Sequence, residues 1–244
     1  MHIMSTFVLV HGAWGGAHGW RLLRPLLRQA GHEVFTPSLT GQGERAHLAG
    51  PQVNLSTHVE DVCNTLWYED LTDVILVGHS YGGMVVSGVA ERMPGRIQHL
   101  VFLDAFEPAD GQSLIDLTGG SGQRPEHSAD WQIPPIRRTQ DQTDPLVQWA
   151  AARRRPQSRA TFEEKVRLSM PLEERSFSLT YIVATLRPDP SPYFDQTAER
   201  LRHDPRWTVR EVEGDHNMQM SNPSGLAELL LELFGGRVPA TASA

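Results

Sequence analysis

Two features of secreted and membrane-bound proteins are nearly absent from this sequence. Cys63 is the single cysteine among 244 residues, so no disulfide can form within the chain. No apolar run approaches the roughly 20 residues of a membrane-spanning helix. The opening stretch MHIMSTFVLVHG also lacks a charged segment followed by a long apolar one. We therefore expect a reduced, cytoplasmic protein that binds no membrane.

Positive charge is also scarce. The chain has 22 lysines and arginines against 29 acidic residues, and its net charge is −7. Nucleic-acid binding depends on clusters of lysine and arginine, and the one short basic run, Arg153 to Arg155, is predicted to be a solvated helix end. No pair of histidines has the H-E-x-x-H spacing of a zinc site. We predict neither a nucleic-acid partner nor a metal.

Apolar runs and helical segments alternate along most of the chain. TFVLV, DVILVG, HLVFLDAF and YIVAT are typical of strands buried on both faces. Helical spacing lies between them, with Ser56 or Thr57 as the expected cap of one helix and Asn222 as the cap of the last. This order predicts an α/β fold with a mostly parallel sheet and helices on both faces, formed by residues 1–106 and 179–236.

The alternation stops in the middle of the sequence. Residues 107–178 are rich in proline, glutamine, arginine and tryptophan and contain no convincing apolar strand. We interpret this segment as a lid inserted into a single domain, and residues 237–244 as a disordered tail. Trp131 and Trp149, together with Trp14 near the N-terminus, are candidates for a substrate pocket. The alternative is that the lid tryptophans pack the lid onto the core.

One motif carries specific chemistry. Gly78-His79-Ser80-Tyr81-Gly82 fits the nucleophile elbow G-x-S-x-G, and it stands between an apolar strand and a helix, as that motif requires. The tight turn would present the Ser80 hydroxyl at the carboxyl end of the sheet, and the flanking glycines would avoid collisions with the neighbouring strand and helix. Ser80 is therefore the predicted nucleophile.

A serine nucleophile needs a base and donors for the oxyanion. His216 is the predicted base because it follows the last strand, where the histidine of such a site is expected. The backbone N–H groups of Tyr81 and Ala13 are the predicted oxyanion donors. His11 and His79 flank the site, and we expect them to pack or form hydrogen bonds within the turns.

The chain resembles a known group of α/β-hydrolases, the hydroxynitrile lyases and plant methylesterases with their bacterial esterase relatives. The resemblance rests on FVLVHGAWGG, LLRQAGHEVFTPSLTGQGER, DVILVGHSYGGMV, LVFLDAFEP, YIVAT and GDHNM. The lyases of this group carry a threonine at the position of Gly12 and a lysine at the position of Asn217. Because both side chains serve cyanide elimination there, the resemblance implies an ester hydrolase here.

The chain differs from this group at the acid that should orient His216. Its plant members have an aspartate two residues after the threonine that ends the strand similar to YIVAT, and that position here is Arg187. Asp104 is the favoured replacement, because other α/β-hydrolases place the acid at the end of the preceding core strand. Asp189 lies near Arg187 in the late loop and is the second candidate. Asp215, or no acid at all, remains a further alternative.

These observations predict a cofactor-independent serine hydrolase with a Ser-His-Asp triad. It would cleave carboxylic esters or lactones of small hydrophobic molecules through an acyl-enzyme. A catalytically silent small-molecule binding protein is one alternative. A lyase or C–C bond hydrolase on the same residues is another. A homodimer is compatible with the sequence.

Overall fold

One parallel sheet forms the centre of the molecule. The computed structural model describes residues 4–119, 131–136, 144–187 and 192–235. Its strands within those ranges are β1 (Thr6–Val10), β2 (Glu33–Phe35), β3 (Val74–His79), β4 (Ile97–Leu103), β5 (Gln132–Ile133), β6 (Gln157–Ser158), β7 (Ser178–Ala184) and β8 (Trp207–Val212). The main sheet has the order β2-β1-β3-β4-β7-β8, with parallel pairing throughout. β5 and β6 form a separate antiparallel pair.

The central strands consist mainly of apolar residues because both faces of the sheet are covered. Val8 pairs with Leu76, and both side chains enter one core cluster. Their neighbours Phe7 and Ile75 are also paired, and both enter the cluster on the opposite face. The alternation of side chains along each strand therefore divides the core into two layers.

Helices cover both faces of the sheet, as the sequence predicts. The α-helices of the described residues are α1 (Leu23–Gln29), α2 (Leu55–Tyr68), α3 (Gly82–Arg92), α4 (Leu114–Leu117), α5 (Pro145–Ala151), α6 (Ala160–Glu163), α7 (Pro192–Arg202), α8 (Met218–Ser221) and α9 (Pro223–Phe234). Short 3-10 helices are Ala17–Trp20, Gly43–Leu48, Pro94–Arg96 and Leu172–Glu174. α2 and α3 pack on one face, while α1 and α9 pack on the other. Over the described ranges, no helix is both long and apolar enough to cross a membrane.

Two helix starts test the predicted caps. Asn222 caps α9 as predicted, and its Oδ1 accepts the backbone N–H of Gly225 at 3.0 Å. The prediction of Ser56 or Thr57 as the cap of α2 is wrong, because the helix begins earlier and Asn54 is the cap. Asn54 Oδ1 accepts the Thr57 N–H at 2.9 Å, and the Thr57 hydroxyl accepts the Asn54 N–H at 3.3 Å. This reciprocal pair is a capping box.

The segment between β4 and β7 packs on the face that α2 and α3 cover. Its described part contains short elements from α4 to the 3-10 helix Leu172–Glu174, and Phe162, Leu168 and Leu172 are buried in the same core cluster. The function of this segment as a lid stays a prediction. The predicted disordered tail, residues 237–244, lies outside the described residues.

Candidate active site

Ser80 lies on a sharp turn between β3 and α3. Its φ is 54°, in the left-handed region that non-glycine residues rarely adopt. A Cβ on Gly78 would lie 2.7 Å from the carbonyl oxygen of Gly82, and one on Gly82 would lie 2.7 Å from that of Val10. These are the collisions that the G-x-S-x-G spacing predicts, so glycine is required on both sides of the serine.

Three side chains from distant parts of the chain form one continuous hydrogen-bonded array. His216 Nε2 lies 3.0 Å from Ser80 Oγ, and His216 Nδ1 lies 2.6 Å from Asp104 Oδ2. Because an ionised carboxylate only accepts, Nδ1 carries the proton and Nε2 accepts from the serine hydroxyl. Asp104 is fully buried, and 13% of the His216 side chain is exposed. The serine hydroxyl therefore faces an imidazole whose other nitrogen is held by a carboxylate.

The His216 ring is fixed by contacts on both sides. It follows β8, and Phe194 of α7 stacks on it with ring centroids 5.1 Å apart and an angle of 14°. The His79 ring lies 4.8 Å away, and His79 Nε2 donates to the backbone oxygen of His216 at 2.7 Å. His79 is predicted to pack or form a hydrogen bond within its own turn, but this hydrogen bond instead reaches the backbone of the loop that carries His216. These contacts leave the imidazole little freedom to leave Ser80.

Asp104 has more partners than the histidine. Its φ is 43°, at the turn that follows β4. Its Oδ1 accepts the backbone N–H of Ala184 at 3.1 Å and forms an ion pair with Arg187. Arg187 thus contacts one oxygen of the Asp104 carboxylate while His216 contacts the other. Sequence reasoning missed this pair, because the two residues are 83 positions apart in the chain.

The other candidate acids have different surroundings. Asp215 accepts the backbone N–H of Asn217 at 2.7 Å and the hydroxyl of Ser221 at 2.9 Å, so its carboxylate serves the turn that leads into α8. Asp189 lies outside the described residues. Among the described residues, Asp104 is the carboxylate that contacts His216.

The predicted oxyanion donors have N–H groups available. Within the part of the chain that the structure describes, neither the backbone N–H of Ala13 nor that of Tyr81 donates a hydrogen bond. A Cβ on the adjacent Gly12 would lie 2.9 Å from Ser80 Cβ. Gly12 therefore packs directly against the serine turn, and a threonine side chain at this position would collide with Ser80 and His79.

A buried histidine holds the turn that contains Ala13. His11 Nδ1 donates to the Gly12 carbonyl at 2.8 Å, and its Nε2 accepts the Leu39 N–H at 3.1 Å. Burial lowers the pKa of His11 to about 4, partly opposed by the bond to Gly12. The ring is therefore neutral near pH 7. Its bond to Gly12 lies within the turn, as predicted, and its bond to Leu39 joins the turn to a distant part of the chain.

His58 performs the same service for Tyr81, and sequence reasoning did not identify it. His58 Nε2 donates to the Thr40 carbonyl at 2.9 Å, so its Nδ1 accepts the buried Tyr81 hydroxyl, also at 2.9 Å. Burial lowers the pKa of His58 to about 4. This hydrogen bond holds the side chain of Tyr81, which is the residue directly before α3. A histidine on the apolar face of α2 was the only sequence signal.

The three candidate pocket tryptophans have separate environments. Trp14 is half-buried, donates from Nε1 to the Ile133 carbonyl at 2.9 Å, and lies 5.6 Å from the Phe162 ring. Trp131 is half-buried, and its carbonyl accepts the Arg159 N–H. Trp149 lies between the guanidinium groups of two exposed arginines and edge-on to His18. Their role in a substrate pocket stays a prediction.

A metal site is not formed by the described residues. Over those ranges, no group of three histidine, cysteine, aspartate or glutamate side chains is arranged to hold a metal ion.

Comparison with known proteins finds similar sequences. The carbendazim hydrolyzing esterase of Nocardioides sp. is 40% identical over 248 residues, which cover 94% of this chain and 100% of that protein. An alpha-hydroxynitrile lyase of Arabidopsis thaliana is 38% identical over 103 residues, 42% of this chain and 40% of that protein. The predicted resemblance to this group and its bacterial esterase relatives is confirmed.

Structural comparison and a family model extend this agreement to nearly the whole chain. An extracellular alpha/beta-hydrolase of a Paenibacillus species matches with a TM-score of 0.74 and 27% identity, over 96% of this chain and 100% of that one. The model of the alpha/beta hydrolase family matches residues 7–229. That range covers most of the chain and includes the serine turn and the segment carrying His216, so the chain belongs to the alpha/beta hydrolase family.

Proposed function

We propose that this protein is a cofactor-independent serine hydrolase that cleaves carboxylic esters or lactones of small hydrophobic molecules through an acyl-enzyme. The observation that carries the proposal is the unbroken array from Ser80 Oγ through His216 to the buried Asp104 carboxylate. Relatives that are named as esterases support the choice of an ester bond. In this proposal the three residues are the catalytic triad.

Acylation begins when His216 Nε2 takes the proton of the Ser80 hydroxyl while Oγ attacks the carbonyl carbon. The carbonyl oxygen becomes an oxyanion and accepts the N–H groups of Ala13 and Tyr81. Asp104 stabilises the imidazolium that has formed. When the intermediate collapses, the bond to the leaving oxygen breaks, and His216 returns its proton to that oxygen.

Deacylation repeats these steps with water. His216 removes a proton from the water as its oxygen attacks the acyl carbon, and the same two N–H groups hold the second oxyanion. Collapse breaks the bond to Ser80 Oγ, which regains its proton from His216. With a lactone the alcohol stays attached to the acyl group, and the product is a hydroxy acid.

The surroundings of the serine support a hydrophobic substrate. Trp14 follows Ala13 directly, and Phe162 lies 5.6 Å from the Trp14 ring and 5.8 Å from the Tyr81 ring. We propose that residues 107–178, which contribute Phe162, act as the lid of this site.

The test is the initial rate of hydrolysis of short-chain p-nitrophenyl esters, a lactone panel and carbendazim, for which one relative is named. Wild type should turn over at least one class, and Ser80→Ala should lose that turnover while keeping its circular dichroism spectrum. The exposed Ser224 in α9 provides a matched control, since Ser224→Ala should behave as wild type.

A fluorophosphonate label separates the alternatives. A hydrolase should be labelled at Ser80, and the label should disappear in Ser80→Ala. Equal ester turnover by wild type and Ser80→Ala would reject the proposal. Binding of an ester without turnover or labelling would favour the binding protein. Release of cyanide from a cyanohydrin, with no ester turnover, would favour the lyase.

A further inference from the structure

A line of alternating charges runs from His216 through the interior to the surface. Asp104, fully buried, pairs with the Arg187 guanidinium, and Arg187 also pairs with Asp195 of α7. The exposed fraction of the side chain rises from 0% at Asp104 through 6% at Arg187 to 56% at Asp195. One arginine therefore joins the carboxylate behind His216 to a carboxylate that reaches solvent.

Arg187 contacts the neighbourhood of His216 by a second route. Its guanidinium carbon lies 5.8 Å from the centre of the Phe194 ring, and that ring stacks on His216 at 5.1 Å. A buried guanidinium is costly unless it is paired, and both of its terminal amino groups are paired with carboxylates. Removing the arginine would therefore disturb a carboxylate and an aromatic ring that both touch the imidazole.

The charges facing each group determine the sign of the effect. His216 faces the Asp104 carboxylate, the Ser80 hydroxyl and the neighbouring His79 ring. Arg187 faces Asp104 and Asp195, and a cavity of about 580 Å³ beside it is also lined by Glu199, Arg202 and Glu211. Arg187 neutralises Asp104 and so opposes a second positive charge on the imidazole. The Asp195 carboxylate in turn partly neutralises the positive charge of Arg187.

We propose that Arg187 is a positioning residue that sets the acid limit of catalysis. It holds Asp104 Oδ1 so that Oδ2 stays directed at His216, and its charge keeps His216 in the neutral, proton-accepting form at lower pH. Asp195 moderates this effect from the surface. The inference rests on the proposed function, because the acid limit is that of the serine hydrolase reaction.

The test compares rate–pH profiles of ester hydrolysis for wild type and two charge-removing variants. Arg187→Gln should move the acid limb to higher pH by about one unit, because the imidazolium loses a nearby opposing charge. Asp195→Asn should move it to lower pH by a few tenths of a unit, since this carboxylate is exposed and screened. A purely structural role would not produce shifts of opposite sign.

A matched control and a conservative variant isolate the charge. Arg202 lines the same cavity but pairs with Glu199 and Glu211, so Arg202→Gln should leave the acid limb in place. Arg187→Lys keeps the charge but cannot bridge two carboxylates as a fork. It should keep the acid limb of wild type and lower kcat.

An NMR titration of the His216 ring gives the same readout without turnover. The ring titration should move up in Arg187→Gln and down in Asp195→Asn, even if no tested ester is a substrate, so failure of the proposed function is recognised separately. A folded Arg187→Gln with unmoved titration and rate profiles would overturn the inference. If that variant does not fold, Asp195→Asn decides: a downward shift supports the inference and no shift overturns it.

Discussion

Individual residues around the candidate site hold an unusual backbone conformation. Trp14, Ser80 and Asp104 are three of the five non-glycine residues with positive φ in the described ranges. Such a conformation costs on the order of 1–3 kcal/mol per residue and persists where surrounding contacts enforce it. Ser80 N–H donates to Leu103 O at 3.3 Å, and Asp104 N–H donates to Ile182 O at 2.7 Å. The sheet thus stabilises the strained residues that present the serine and the carboxylate.

Asp104→Asn tests the acid of the triad at the residue scale. An amide cannot hold the Nδ1–H tautomer or stabilise the imidazolium, so kcat should fall by about 10³- to 10⁴-fold. The measurement is kcat on the best ester of the panel, with the fold checked by circular dichroism. Asp189→Asn and Asp215→Asn are the comparison variants, and both should cost little. Near-normal Asp104→Asn together with a collapse in Asp189→Asn would move the acid to the late loop.

At the scale of elements, strand order determines which residues meet. β3 lies directly beside β4, so the turns after them carry Ser80 and Asp104 at one edge of the sheet. The Phe106 N–H donates to the Ser80 carbonyl at 3.1 Å and ties the two turns together. β7 and β8 follow in the sheet, and the chain leaving β8 brings His216 back to that edge. An acid after β4 is therefore next to the nucleophile.

Asn54→Ala tests the start of α2. The change removes the side chain that accepts the Thr57 N–H, so the free energy of unfolding should fall by about 1 kcal/mol. Urea denaturation measures this, and the exposed Glu69 at the other end of the helix gives a control, since Glu69→Ala should have a much smaller effect. Ester turnover should be unchanged in both. A loss as small as that of the control would show that the capping box does not stabilise the folded state.

The whole molecule places ionisable groups inside its core. His11 and His58 are buried and neutral, and burial lowers the pKa of each to about 4. Burial also raises the pKa of Glu107 to about 7, although its ion pair with Arg200 opposes the change. These groups bind protons differently in the folded and unfolded chain, and the stability of the entire fold therefore depends on pH.

The pH dependence of stability follows from these signs. An unfolded histidine titrates near 6.5, so unfolding takes up protons between about pH 4 and 6.5. The free energy of unfolding should therefore fall as the pH is lowered from about 6.5 to about 4. The loss should approach about 3 kcal/mol per histidine at the lower end. Glu107 acts in the opposite direction, because its contribution is present below its unfolded pKa and is lost as pH rises through about 7.

Urea denaturation between pH 4 and 8 measures this balance. His58→Gln should flatten the fall in the free energy of unfolding below about pH 6.5, since one of the two buried histidines is gone. Glu107→Gln should make the rise of that free energy with pH steeper between about pH 4.5 and 7, because the opposing contribution is removed. If the free energy of unfolding had the same pH dependence in wild type and both variants, His58 and Glu107 would not be the groups that set it.

The sequence by itself determined the features that depend on local pattern. Short sequence patterns are enough to recognise the continuous apolar strands, the glycines around Ser80 and the histidine after the last strand. The α/β fold and these candidate residues could therefore be predicted. Only the tertiary structure decided which carboxylate contacts His216 and what Arg187 does. His216 and Asp104 are 112 residues apart, and Arg187 and Asp104 are 83 apart. Such contacts are set by strand order and burial, which a local pattern does not contain.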